Sequence, residues 1–573
     1  MIIINIIVFY VVFGSRISDP SDFLFTNSYD GIKNYYHYLY YTTINTDYLS
    51  YTGMNYPHVD HVLFTDSTPI LGFTVKLFGF ESNALAIYNL FFIAPFLFAS
   101  VIAYRIGQHL DFNVGINVVF ALCVVWVHPM IFCMGEWVNL SMSIYFLIGI
   151  YLYIKWANSP EIAYGTVAGM MLLVVVASLT HLYYLPLILF LIGPAIALDA
   201  LKGSFKKSFI ALFSLVISAL GIIVFAKVSD PISAMRPTEL LGYNVPSLTC
   251  AWSDYFKSYE CLKLPAFYEQ KDWNIEKLTF LGSAYPLIIL IAIYMFWVAR
   301  GRYSQLFKKS KNQYIIGIAA GTIICYFTSL GSYLEIFNDN VKIYNILNPL
   351  NIIAEFSESA KNFRSMARFS LPAFTGFLIC GFYILNVFLR CPKFKIAKVV
   401  IVSIICILYL IDFVQMTSHT MKSANQANLF SQVNNNTLPQ LSTSYDALMP
   451  LPYYHVGTEK KGFIIDDNNF WSRETYRRAL YYQLPLMACK MSRTPLVTAE
   501  RMFSLFSDNP DADLLSMLKG KKILICEDTV YKRVEIDTEP ATTISMNHEK
   551  FLEVWKPDFL LEKDGVKYYE LEF

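Results

Sequence analysis

The strongest constraint on this chain is a succession of apolar runs, each of which has to close its own backbone hydrogen bonds if it sits in lipid. The first is MIIINIIVFYVVFG, Met1 to Gly14, and further runs lie at about 83–105, 113–134, 139–156, 163–180, 182–200, 207–227, 279–299, 313–331, 370–390 and 398–415. A helix crosses a bilayer in about 20 residues, so these runs predict about eleven transmembrane helices. The first run is about two-thirds of that length. It has neither the basic start nor the small-residue cleavage site of a signal peptide, and it reads as a short first span. Only Thr180 and His181 divide the fifth and sixth helical runs, which predicts a tight hairpin or a broken helix.

Composition supports a polytopic membrane protein: 55% of residues are hydrophobic and only 16% charged, and the apolar excess is gathered into runs. A net charge of +1 supplies no basic field for nucleic acid. The short basic loops carry Arg105, Lys155, Lys202 with Lys206 and Lys207, Arg300 to Lys311, and Arg390 to Lys398. All fall on one side if spans alternate, and that side is the cytoplasm. The N-terminus is then cytoplasmic. The loops at about 15–82, 228–278 and 332–369, and everything after about 416, lie outside. Residues 1–415 form the membrane module and 416–573 a soluble extracytoplasmic domain, joined through the Asn-, Gln- and Ser-rich stretch Asn425 to Ser444. Strand-like runs at Gly462–Ile465, Lys522–Cys526 and Val566–Leu571 alternate with helical patterns near Ser472–Tyr482, Thr498–Phe506 and Asp511–Leu518, which predicts a small α/β domain. The ten cysteines include no CxxC pair. Cys250 with Cys261, and Cys489 with Cys526, are candidate disulfides if their regions lie outside.

Chemistry is most concentrated in the polar stretch from Ser18 to Asp66. If Asp30 to Tyr41 is a helix, then Asp30, Lys33, Asn34, His37 and Tyr41 share one face, and Asp30 suits an N-cap. Such a helix either lies on the outer leaflet as an amphipathic element or presents its polar face to a site. Gly53 and Pro57 predict a loop around His58, Asp60 and His61. These three have the donor types for a divalent metal, or are solvated loop residues. Asp66 reads as a cap for the segment that follows. His128, Glu136 and His181 fall at the same outer level. Arg364 and Arg368, at i and i+4, would project to one side of a helix, to grip phosphate, anionic headgroups, or Glu355 and Glu358. Glu276, just before the eighth span, is a candidate wall residue.

This plan resembles the GT-C superfamily of integral-membrane glycosyltransferases, which have many spans and an acidic residue in the first outer loop. More narrowly, Tyr29-Asp30-Gly31-Ile32-Lys33-Asn34-Tyr35, Gly53-Met54-Asn55-Tyr56-Pro57, His61, Phe64-Thr65-Asp66 and Phe363-Arg364-Ser365-Met366-Ala367-Arg368-Phe369 are similar to an uncharacterised GT-C-like group of bacterial membrane proteins. Val59-Asp60 stands where that group has Gly-Glu. The resemblance implies a bacterial inner-membrane glycosyltransferase, inverting, that moves a hexose or pentose from a polyprenyl-phosphate donor to a glycan, lipid or protein acceptor of the cell envelope. Asp30 would be the general base or a metal ligand, with magnesium or manganese the candidate cofactors and Asp19 or Asp22 a second acid. Arg364 and Arg368 would clamp the donor phosphate. Lys33, Asn34, His37, Asn55, Tyr56 and Glu276 would contact substrate or acceptor. The rival readings are a lipid or polysaccharide flippase or transporter and a non-catalytic scaffold.

Overall fold

The computed structural model describes residues 1–27, 29–236, 248–257, 277, 279–299, 312–336, 341–356, 363, 365–391, 395–423, 426–431, 437–458, 464–465, 469–529 and 548–573. Every apolar run becomes a helix. Among the described residues, seven helices are long and apolar enough to cross a membrane, and four of the expected spans, Ile2–Ser18, Tyr164–Thr180, Tyr285–Trp297 and Tyr314–Ser329, are shorter apolar helices. The protein is a polytopic helical membrane protein with a small sheet-containing C-terminal region. The break after Thr180 is a tight hairpin: His181 N–H closes on Ala177 C=O, and the next helix begins at Tyr184.

Small residues set how closely the helices approach. A Cβ on Gly321, in Asn312–Ser329, would fall 1.8 Å from the backbone oxygen of Leu191 in Tyr184–Leu201. Only glycine lets those two backbones meet, a familiar device where helices pack without water to drive them together.

The stretch between the first two spans is folded rather than loose. It holds the helix Tyr29–Thr43, called the site helix below, the paired strands Ser50–Tyr51 and Asp60–His61, and a 3-10 turn at Val62–Phe64. The site helix does not lie on the leaflet surface. Tyr35, Tyr36 and Tyr38 on its aromatic side are fully buried, and Lys33, Asn34, His37 and Tyr41 on its polar side are buried as well, with Asp30 partly open. It packs against Pro69–Phe78, Ala84–His109 and, from the C-terminal region, Asn469–Tyr482. Its tyrosines can be buried because each of three hydroxyls finds an acceptor: Tyr35 donates to Asn89 Oδ1 (2.6 Å), Tyr36 to Gly53 C=O (2.6 Å) and Tyr41 to Tyr48 C=O (2.8 Å).

The C-terminal region carries a four-stranded sheet in the order Asp558–Lys563, Val566–Glu572, Lys522–Asp528, Ala447–Leu451, parallel only in the last pair. A second sheet joins Cys489–Thr494, His455–Thr458 and Ile464–Ile465. Cys489 and Cys526 are separate buried thiols, so that candidate disulfide is not formed. Cys250 is likewise free, and Cys261 lies outside the described residues. The region is tied to the first loop through the main chain: Asn55 N–H to Ala488 C=O, Tyr56 N–H to Leu486 C=O, and Leu486 N–H to Gly53 C=O, all 3.0–3.1 Å. The Tyr36 and Tyr476 rings stack across the same seam, with centroids 4.7 Å apart.

The Gly321 contact makes a sharp test. Gly321→Ala should lower the melting temperature in detergent by several degrees. Gly221→Ala, at a helix position with nothing within 4 Å, should leave it unchanged or raise it slightly.

Candidate active site

The site gathers at one end of the helix bundle. The helices Ile144–Asn158, Tyr184–Leu201 and Ser370–Arg390 begin at that end and run toward Lys155, Lys202 and Arg390. The site helix delivers Asp30 in its first turn rather than as its N-cap, and Lys33 follows one turn later. Three residues on a helix return a side chain to the same face, so Lys33 Nζ reaches Asp30 Oδ1 at 3.0 Å. The same ammonium lies 2.9 Å from Asp66 Oδ2. Asp66 is therefore not a cap but a second carboxylate of the site.

The other carboxylate oxygens are also held. Trp137 Nε1 donates to Asp30 Oδ2 (3.2 Å), and Asn139 Nδ2 donates to Asp66 Oδ1 (3.2 Å), which lies 3.8 Å from His181 Nε2. Asn34 Nδ2 donates to Asn139 Oδ1 (3.3 Å). Asp66 N–H donates to His37 Nδ1 (3.1 Å), which leaves the ring proton on Nε2, 3.3 Å from Met54 Sδ. Lys33, Asn34 and His37, expected to touch substrate, are instead buried supports for the carboxylates. Asp30 is the member that opens outward, with 39% of its side chain exposed.

Charge explains why this cluster holds together. Burial opposes ionisation of Asp30, but Lys33 and then Lys490 outweigh it and keep the carboxyl below its usual range. For Asp66, burial is likewise overcome by Lys33 and then His181. Burial also opposes the charge on Lys33, yet Asp30 and Asp66 raise its pKa. Burial leaves His37 neutral, with its pKa pushed down to about 3. Lys490 comes from the C-terminal region and is itself buried, and its backbone N–H donates to Met54 Sδ (3.3 Å).

Arg368 completes the site. Its guanidinium lies 4.2 Å over the Tyr183 ring and 5.3 Å over the Trp137 ring. The Trp137 indole thus touches Asp30 through its N–H and Arg368 through its face. Arg368 sits in a single 3-10 turn, Met366–Phe369, with Ser365 extended before it. Arg364 and Glu276 lie outside the described residues.

The His58–Asp60–His61 knot does not assemble as a metal ligand set. Asp60 is taken by Arg236, which also pairs with Asp230. His61 Nδ1 accepts from Leu63 N–H (3.2 Å), and its Nε2 faces Ser229 Oγ at 2.9 Å. His58 is buried beside the C-terminal region, where burial and then Arg501 push its pKa down to about 4. Among the described residues, no group of three or more His, Cys, Asp or Glu could hold a metal ion. Asn55 and Tyr56 bond through their main chain to the C-terminal region, and Asn55 Nδ2 reaches Thr498 Oγ1 at 3.4 Å. Asp19 and Asp22 are exposed. His128 is buried against Thr375 among the helices. Trp137, Asn139, Tyr183 and Lys490 carried no signal in the sequence, because only the tertiary fold brings them to Asp30.

The family described as "Domain of unknown function (DUF6311)" matches residues 2–414, well over half of the chain. The chain belongs to the DUF6311 family. No curated protein matches it. Among solved structures it resembles ArnT from Cupriavidus metallidurans bound to undecaprenyl phosphate, with 9% identity, a TM-score of 0.50, and coverage of 99% of this chain and 96% of that one. An oligosaccharyltransferase from Archaeoglobus fulgidus is also similar, with 11% identity, a TM-score of 0.45, and coverage of 92% and 69%. This DUF6311 member has the fold of the GT-C membrane glycosyltransferases, as its motifs imply.

Glu136, one residue before Trp137, gives the site a pH signature. Burial and then the charge of Asp30 push its pKa from 4.5 up to about 7. A raised carboxyl adds stability that is complete below about 4.5 and lost as pH rises through about 7. Glu136→Gln removes that loss, so its melting temperature should gain on the wild type between pH 5 and pH 8. A constant difference across that window would contradict the assignment.

Proposed function

We propose that this protein is an inverting membrane glycosyltransferase that moves a sugar from a polyprenyl-phosphate donor to a cell-envelope acceptor at the outer face of the bacterial cytoplasmic membrane. The observation that carries the reading is the shared indole of Trp137. It holds an outward-facing, ionised carboxylate and a stacked guanidinium side by side, at one end of the bundle. That pairing supplies what a single displacement needs: a base for the attacking hydroxyl and a cation for the departing phosphate.

Asp30 accepts the proton of the acceptor hydroxyl as its oxygen bonds to the anomeric carbon. The bond from that carbon to the phosphate oxygen breaks, and its electron pair leaves with the polyprenyl phosphate. A carboxylate of lowered basicity suffices, because the hydroxyl becomes acidic as the new bond forms. Arg368 faces the charge that grows on the leaving phosphate, and Lys490 adds a second positive charge near Asp30. The polyprenyl tail stays in lipid, and the activated sugar needs no nucleotide site. The solved ArnT structure, which holds undecaprenyl phosphate on a similar fold, supports a donor of this class. The outer-face location rests on the basic loops, which fall at the bundle end opposite Asp30.

Asp30→Asn should lower transfer from a polyprenyl-phosphate sugar by about 100- to 10,000-fold with expression intact. Undiminished transfer would remove Asp30 from the chemistry, whereas no transfer by the wild type would turn the reading toward a lipid or polysaccharide transporter. Arg368→Ala should raise the donor KM, and an unchanged KM would count against the phosphate contact.

A further inference from the structure

Two carboxylates that converge on one point are a common seat for a divalent cation, which would then aim the base and offset charge. In this protein that point is filled by the chain itself. Lys33 Nζ stands 3.0 Å from Asp30 Oδ1 and 2.9 Å from Asp66 Oδ2, on a side chain only 7% exposed. The remaining oxygen of each carboxylate is turned to a neutral donor, Trp137 Nε1 or Asn139 Nδ2. Magnesium or manganese would need about six oxygens, at about 2.1 Å for magnesium, in space the ammonium occupies, and would meet its charge at contact distance. The second candidate seat is closed as well, because Asp60 is committed to Arg236 and His61 to Leu63 and Ser229.

We infer that Lys33 takes the place of a divalent cation, fixing Asp30 against Asp66, and that sugar transfer runs without a divalent metal. The inference deepens the glycosyltransferase reading and rests on it for the word transfer; the occupancy of the seat does not. Helix geometry and one tertiary hydrogen bond together set the arrangement. Lys33 is one turn from Asp30, and the Asp66 N–H bond to His37, one turn further, brings the second carboxylate back onto the same ammonium. Arg368 and Lys490 then supply positive charge for an anionic donor, which a metal would otherwise bring. Lys33 is thus a positioning residue.

The test uses full-length protein in detergent with two readouts. The first is Mn²⁺ binding, followed by the electron paramagnetic resonance signal of free Mn²⁺. Wild type should take up no stoichiometric Mn²⁺, whereas Lys33→Met vacates the seat and should gain about one ion per chain. One Mn²⁺ bound by wild type and released by Asp30→Asn or Asp66→Asn would overturn the inference. The second readout is transfer from a polyprenyl-phosphate sugar. Wild type should keep its rate within twofold in EDTA, Lys33→Met should lose at least 100-fold, and Lys33→Arg should recover part of that loss. Transfer abolished by EDTA and restored by Mn²⁺ would also overturn it. If no polyprenyl donor is used with or without metal, the glycosyltransferase reading fails, and wild-type Mn²⁺ binding alone decides the role of Lys33.

Discussion

The Lys33 ammonium between Asp30 and Asp66 is the contact on which the rest of the site depends. Taking charges out of water costs several kcal/mol per ion, and removing one partner of a buried pair typically costs about 3–5 kcal/mol. Asp66 would bear that cost if Lys33 were lost. Asp30 would lose less, since water screens its open side. The triad also carries a net negative charge, which explains the neighbours that surround it. Trp137 and Asn139 donate to the carboxylates, His181 lies beside Asp66, and His37 is kept neutral so that it can accept the Asp66 N–H. Arg368 and Lys490 bring the surrounding charge to positive, which suits an anionic ligand.

The same constraint accounts for the packing around it. A helix with Asp, Lys, Asn and His along one face can be buried only if the other face is anchored, and the tyrosines of the site helix do this with their rings and with the bonded hydroxyls of Tyr35 and Tyr36. The C-terminal region closes the remaining side. Its main chain pairs with Gly53–Tyr56, Tyr476 stacks on Tyr36, and Lys490 adds its charge near Asp30. The region is part of the wall of the site rather than an appendage.

How much of this could be read from the residues divides along sequence distance. The membrane helices were legible because each satisfies itself locally, so length and hydropathy suffice. The common face of Asp30, Lys33, Asn34 and His37 was legible for the same reason, since helical period alone decides it. Burial of that helix was not, because its partners lie at Asn89 and Tyr476. Asp66 looked like a cap, since its pairing with Lys33 spans 33 positions and depends on the turn that His37 fixes. The knot from His58 to His61 had the right donor types for a metal. What redirected Asp60 is Arg236, in a different loop, and no spacing rule signals that pairing. Lys490 was hidden most deeply, because it reaches the site only after the C-terminal region has docked.

In the proposed reaction Arg368 holds the donor phosphate, while Asp30, joined to it through Trp137, receives the proton of the acceptor hydroxyl. The most direct measurement is an experimental structure of the full chain with bound undecaprenyl phosphate. Its phosphate should lie within hydrogen-bond reach of the Arg368 guanidinium, at the bundle end that carries Asp30. A phosphate held at the opposite end of the bundle, among Arg105, Lys202 and Arg390, would contradict it.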